Sequence, residues 1–159
     1  MSFARQISQT LDTEHRTAIG LLDRLDRALA GGMAEADWPL LAGALARQLE
    51  HEVVRHFGFE EDELFPRLAD AGDGGMVALL AEEHTSIRAV AEELLPLARA
   101  MAQGALPAGE RAAFRRLSFE LIERMVTHIQ KETMALLPML DDLLDDATDR
   151  ELAFAYAAD

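Results

Sequence analysis

His56-Phe57-Gly58-Phe59-Glu60-Glu61-Asp62-Glu63-Leu64-Phe65-Pro66 is the stretch that decides how this chain folds and what it holds. A glutamate follows the histidine by four residues, and a proline follows the glutamate by six. The same pattern returns 72 residues later in His128-Ile129-Gln130-Lys131-Glu132, with Pro138 behind it. Residues four apart share one face of a helix, so each stretch projects an imidazole and a carboxylate to the same side. Two further histidines, His15 and His84, stand 69 residues apart, each directly after a glutamate, Glu14 and Glu83. The chain reads as two helical hairpins related by a pseudo-two-fold axis, each bringing two histidines and one glutamate.

Outward from these stretches, the apolar residues recur at helical spacing in four long segments. The first runs from about Ser8 to Ala30 with Leu11, Ala18, Leu22, Leu25 and Leu29, and stops at Gly31-Gly32. The second opens near Asp37, tolerates Pro39 in its first turn, and carries Leu41, Leu45, Leu49, Val53, Leu64 and Leu68 as far as the break at Asp70 to Gly75. The third, about Met76 to Ala102, carries Val77, Leu80, Ile87, Ala91, Leu94, Ala98 and Met101. The fourth begins near Glu110 with Phe114, Leu117, Leu121, Met125, Ala135 and Met139. Thr148 and Glu151 suggest a capping box for a short closing helix, Asp149 to Ala158, expected to be purely structural. Long amphipathic helices joined by short connections predict an all-α, antiparallel up-down-up-down four-helix bundle, with residues 1–159 as one domain.

His15, His84 and His128 fall on the apolar stripes, and Glu132 and the pair His56 and Glu60 share the same inward faces. Burying six ionisable side chains is costly unless they pair or bind a metal. One inward histidine per helix, with two identically spaced glutamates, points to metal, and the symmetry fits two ions bridged by two carboxylates. Imidazole with carboxylate suits iron, and manganese or zinc as substitutes. His51, five residues before His56, should point away from the centre on a regular α-helix, as a solvated residue or one that supports a ligand from behind, not as a ligand itself.

Composition narrows the function. The chain of 159 residues is half hydrophobic, enough for a real core, and its Lys+Arg of 15 against Asp+Glu of 29 leaves a net charge of −14. Such an acidic surface argues against nucleic acid and against anionic membranes. It has no cysteine, which excludes disulfides, thiolate metal sites and cysteine nucleophiles. The absence of a signal-like N-terminal stretch and of any run of about 18 apolar residues leads to the expectation of a cytoplasmic protein.

Taken together, Glu14-His15, His56 to Glu61 running into Leu64-Phe65-Pro66, Glu83-His84 with Ile87-Arg88, and His128 to Glu132 running into Leu137-Pro138 resemble the hemerythrin-like domains with the HHE cation-binding motif. The resemblance spans residues 15 to 138. It implies a four-helix bundle around a non-haem di-iron centre, with an oxo or hydroxo bridge as a further ligand. His15 and His56 would bind one iron, His84 and His128 the other, and Glu60 and Glu132 would bridge both. The oxygen carriers of that family have an additional histidine one turn from the third-helix ligand. Here Leu80 and Arg88 occupy that spacing around His84, which argues against reversible oxygen carriage. The expected partner is a small oxidant: dioxygen, nitric oxide or peroxide. An iron-binding, iron-sensing or storage module without gas chemistry is the alternative, and turnover of an organic substrate is the weakest reading. A redox or signalling partner, and the choice of monomer or homodimer, are left open.

Overall fold

The computed structural model describes residues 2–32 and 34–158, and among them every regular element is helical. Ala, Leu, Glu and Arg, all good helix formers, dominate the long segments. The first helix, α1, spans Gln6–Arg27 and closes in a wider turn, Ala28–Gly32. Gly31 there takes φ 95°, a backbone state closed to most side chains, which ends the helix. The second rod is built from α2 (Trp38–Glu50), α3 (Phe57–Phe59) and α4 (Phe65–Leu68), joined by π-turns over His51–His56 and Glu60–Leu64. Gly72, φ 104°, breaks it from α5 (Gly74–Ala102). Then come α6 (Arg111–Lys131), a π-turn over Glu132–Leu136, α7 (Leu137–Leu143) and α8 (Asp146–Ala158). Each long helix packs on two others: α1 on α2 and α6, and α5 on α2 and α6.

The repeated prolines explain the repeated π-turns. Pro66 and Pro138 lack the N–H an α-helix needs, and their rings crowd the carbonyl four residues back. The helix widens just before each: the Phe65 N–H reaches the Glu60 carbonyl and the Leu137 N–H reaches that of Glu132, five residues back in both cases. Both key glutamates therefore open a π-turn. The extra residue also shifts the apolar stripe of the fourth segment. Ala135 and Met139 are only half-buried, while Leu136, Leu137 and Leu140 are fully buried in their place.

The core falls into two apolar layers. One gathers Ala18, Leu22, Leu25, Leu45, Leu94, Leu117 and Met125; the other gathers Ile7, Leu11, Leu64, Phe65, Leu80, Leu136 and Leu140. Burying one such leucine stabilises the fold by roughly 1.5–3 kcal/mol. Every inward histidine lies where its helix crosses between the layers: His15 between Leu11 and Ala18, His56 between Leu49 and Phe59, His84 between Leu80 and Ile87, His128 between Met125 and Leu136.

The N-terminus of α1 is capped by the far end of the chain. Asp141 accepts the N–H groups of Ala4 and Arg5 at 2.7 and 3.0 Å, and Asp149 accepts those of Gln6 and Ile7 at 2.9 and 3.0 Å. Two carboxylates thus satisfy successive donors at the positive end of the helix dipole. The expected capping box at Thr148 does not form. Asp145 caps α8 by accepting the Thr148 N–H at 2.7 Å, so the helix starts three residues earlier than its sequence signal suggested. Asp149→Ala, which leaves the Gln6 and Ile7 donors without their acceptor, should cost about 1–2 kcal/mol in urea unfolding. An unchanged midpoint would show that the cap contributes nothing.

Candidate metal centre

The structure brings His15, His56, Glu60, His84, His128 and Glu132 into one layer, each no more than 2% exposed. Their inward atoms form two overlapping groups. His15, His56, Glu60 and Glu132 offer ligand atoms within 4.8 Å of one another, and so do His84, His128 and Glu132. Glu60 borders the second group as well, its Oε2 lying 3.9 Å from His84 Nε2. All four imidazoles turn Nε2 inward. His15 Nε2 lies 3.1 Å from Glu132 Oε1, His128 Nε2 lies 3.3 Å from the same oxygen, and His84 and His128 bring their Nε2 atoms to 3.1 Å.

The donor set fits a cation. His56 Nε2 and Glu60 Oε1 are in close contact with each other, while Glu60 Oε2 and Glu132 Oε2 are buried with no donor in hydrogen-bond reach. Unsatisfied buried polar atoms are rare, and two carboxylate oxygens in one layer call for a common partner. Two facing imidazole nitrogens share at most one proton, whereas both can approach one metal at about 2.1 Å. The charges agree. Burial first, and the negative charge of Glu132 second, push the Glu60 carboxyl well above the usual range. Burial would raise Glu132 too, but the Glu60 carboxyl and the imidazoles of His128 and His15 hold it well below. For His56 burial opposes protonation, yet Glu52, Glu60 and Glu14 raise its basicity well above the ordinary value.

Each imidazole is also held from behind. His56 Nδ1 donates to Glu14 Oε2 at 2.8 Å, His128 Nδ1 to Glu83 Oε1 at 2.9 Å, and His84 Nδ1 to Glu61 Oε2 at 2.8 Å. His15 Nδ1 meets the Thr133 hydroxyl at 3.2 Å. Such hydrogen bonds fix which nitrogen faces inward and aim the ring. Phe57 stacks on His84 with centroids 3.8 Å apart, adding a second restraint. The sequence carried a signal for these partners: each is the residue just before a single histidine or just after an inward glutamate, at the same offsets of 69 and 72.

His51 stays outside the inward group, as expected, but supports one of its members. Its Nε2 lies 2.9 Å from Glu14 Oε1, so His51 and His56 grip the two oxygens of one carboxylate. The π-turn over His51–His56 is the cause, because a turn closed at five residues realigns residues five apart. The closing helix is not purely structural. Tyr156, buried on α8 and stacked on Phe59, donates its hydroxyl to Glu14 Oε2. Burial would raise Glu14, but hydrogen bonds from His56, Tyr156 and His51 bring it down to about 2. Tyr156→Phe deletes one donor to a half-buried charged acceptor and should lower stability by about 1.5 kcal/mol in thermal or urea unfolding. A wild-type midpoint would mean that the Tyr156–Glu14 contact is idle.

Among the described residues, no helix is long and apolar enough to cross a membrane. No curated protein matches the chain. The family model of the hemerythrin HHE cation binding domain matches residues 6–140, which takes in all six inward side chains and leaves α8 outside. Matched over that length, the chain belongs to the hemerythrin HHE cation binding domain family, whose members are metal-binding proteins.

Proposed function

We propose that this protein is a non-haem di-iron protein that binds or responds to a small oxidant, with His15 and His56 holding one iron, His84 and His128 the other, and Glu60 and Glu132 bridging the two. The observation that carries this reading is the convergence of four inward imidazoles and two buried carboxylates, with Glu60 Oε2 and Glu132 Oε2 out of reach of any hydrogen-bond donor. Imidazole and carboxylate donors suit iron, and manganese or zinc as substitutes. In this reading the whole chain works as one up-down-up-down domain. In support, the ends of α1 and α5 and the starts of α2 and α6 line one cavity through Leu29, Met101, Trp38 and Phe114. The tail belongs to the same unit because Leu152 and Tyr156 of α8 are buried.

The chain's own residues would do three things. Four imidazoles and two carboxylates would hold the ions, leaving coordination positions for a small ligand; when bound, the metals would supply Lewis acidity and electrons. Glu14, Glu61, Glu83 and Thr133 would aim the imidazoles. The two apolar layers would shield the ions from bulk water, since all six inward side chains are at most 2% exposed.

Anaerobic loading should give two irons per chain with magnetic coupling between them. Adding dioxygen or nitric oxide to the reduced, loaded protein should then produce a rapid charge-transfer absorption. Spectral inertness with two irons bound would favour iron sensing or storage over gas chemistry, and a stoichiometry of one would remove the dinuclear reading.

Metal should also raise the melting temperature, by the equivalent of about 2.7 kcal/mol for each site at which free iron exceeds the Kd a hundredfold. That gain should grow from pH 5 to pH 8, since protons compete with metal for the same nitrogens and oxygens. Glu60→Gln/Glu132→Gln should keep the helical circular dichroism of metal-free protein and lose the metal-dependent gain. A double variant stabilised by iron as wild type is would contradict the bridging role.

A further inference from the structure

The pseudo-two-fold symmetry of the centre is obeyed at six inward positions and broken just behind them. Residues at an offset of 69 or 72 are equivalent, so Glu14 corresponds to Glu83, and each holds the Nδ1 of the histidine in its own hairpin, His56 or His128. By the same offset Glu61 corresponds to Thr133, and each holds the single histidine of the opposite hairpin, His84 or His15. A carboxylate on one side thus faces a neutral hydroxyl on the other. The substitution is not isolated. Glu61 is clamped by Arg88 through two contacts of 2.7 and 2.8 Å, and the equivalent of Arg88 is Ile19. An ion pair in one half is an uncharged pair in the other.

The same asymmetry recurs behind the remaining two histidines. Glu83 is gripped by Lys131, whose equivalent is Phe59. Glu14 is held instead by the hydroxyl of Tyr156 and by His51. Another buried carboxylate, Glu52, lies 3.8 Å from His56 Nδ1, beyond hydrogen-bond reach, and does not approach His15. In the His84 and His128 half, both imidazoles donate to carboxylates that a cation locks in place. In the His15 and His56 half, one imidazole has only a hydroxyl behind it.

We infer that the two half-sites are unequal by construction: the His84/His128 half binds its metal ion more tightly and loads first, and Thr133 with Ile19 sets the weaker affinity of the His15/His56 half. This rests on the dinuclear reading above. A carboxylate accepting the Nδ1 proton makes the imidazole a stronger donor, and losing such a partner typically weakens metal binding by roughly 10–100-fold. The bidentate Arg88 clamp adds to this by holding Glu61 in one orientation, so less freedom is lost when His84 engages a metal. Glu61 and Thr133 are thus positioning residues whose difference separates the two ions.

The test is an anaerobic Fe(II) titration of the full chain against a competing chelator, followed by Mössbauer spectroscopy of the loaded protein. Wild type should show two steps separated by about 10–100-fold and two iron signals of equal area. His84→Ala should remove the tight step and His15→Ala the weak one. Ile19→Arg/Thr133→Glu, which rebuilds the charged pair in the weaker half, should tighten the second step about tenfold and draw the two iron signals together. Glu61→Gln tests the same idea without adding charge, and should weaken the first step while leaving the second in place. Two steps of equal affinity, or a tight step that disappears with His15→Ala, would overturn the inference while leaving the dinuclear reading intact. Binding of a single iron would overturn both.

Discussion

Everything in this molecule depends on one constraint: two carboxylates and four imidazoles lie in a buried layer between two apolar ones. Charges taken out of water are tolerated only when paired or coordinated, and here Glu60 Oε2 and Glu132 Oε2 have no donor in hydrogen-bond reach. The layer is therefore a source of frustration in the metal-free protein and of affinity once a cation is present. The leucine-rich layers on both sides let the bundle bear it.

The aiming of the imidazoles follows from the same constraint. A histidine that is to present Nε2 inward must place its Nδ1 proton, and a buried Nδ1 without an acceptor would be costly. The chain solves this with residues adjacent in sequence to the inward ones, so that Glu14 and Glu83 serve the opposite histidines of their own hairpins. Holding these carboxylates ionised then needs further donors. Arg88 and Lys131 provide them in one half, and Tyr156 with His51 in the other. The hydrogen-bond network thus extends from the centre to α8, beyond the residues matched by the family.

This arrangement makes the last helix more than a cover. Asp149 caps α1 while Tyr156, two turns along, completes the Glu14 cluster. One element therefore couples the start of the first helix to the rear of His56. Losing the docking of α8 would disturb both, which ties the integrity of the candidate site to that of the tail.

The sequence by itself determined the helical class, the positions of the breaks and all six inward side chains, because these depend on period and spacing. Residues three and four apart share a face wherever the chain is helical, and Gly31 and Gly72 end helices through their own backbone freedom. Equal offsets between the hairpins also made the pairing of His56 with Glu60 and of His128 with Glu132 legible. Only the tertiary structure decided the rest. The π-turn over His51–His56 turned His51 toward Glu14, and the one beginning at Glu132 moved burial from Ala135 to Leu136. Tyr156 reaches Glu14 across 142 positions, and Asp149 reaches Ile7 across as many. Local periodicity carries no information about such distant partners, since it is the packing of α8 on α1 that brings them within a hydrogen bond.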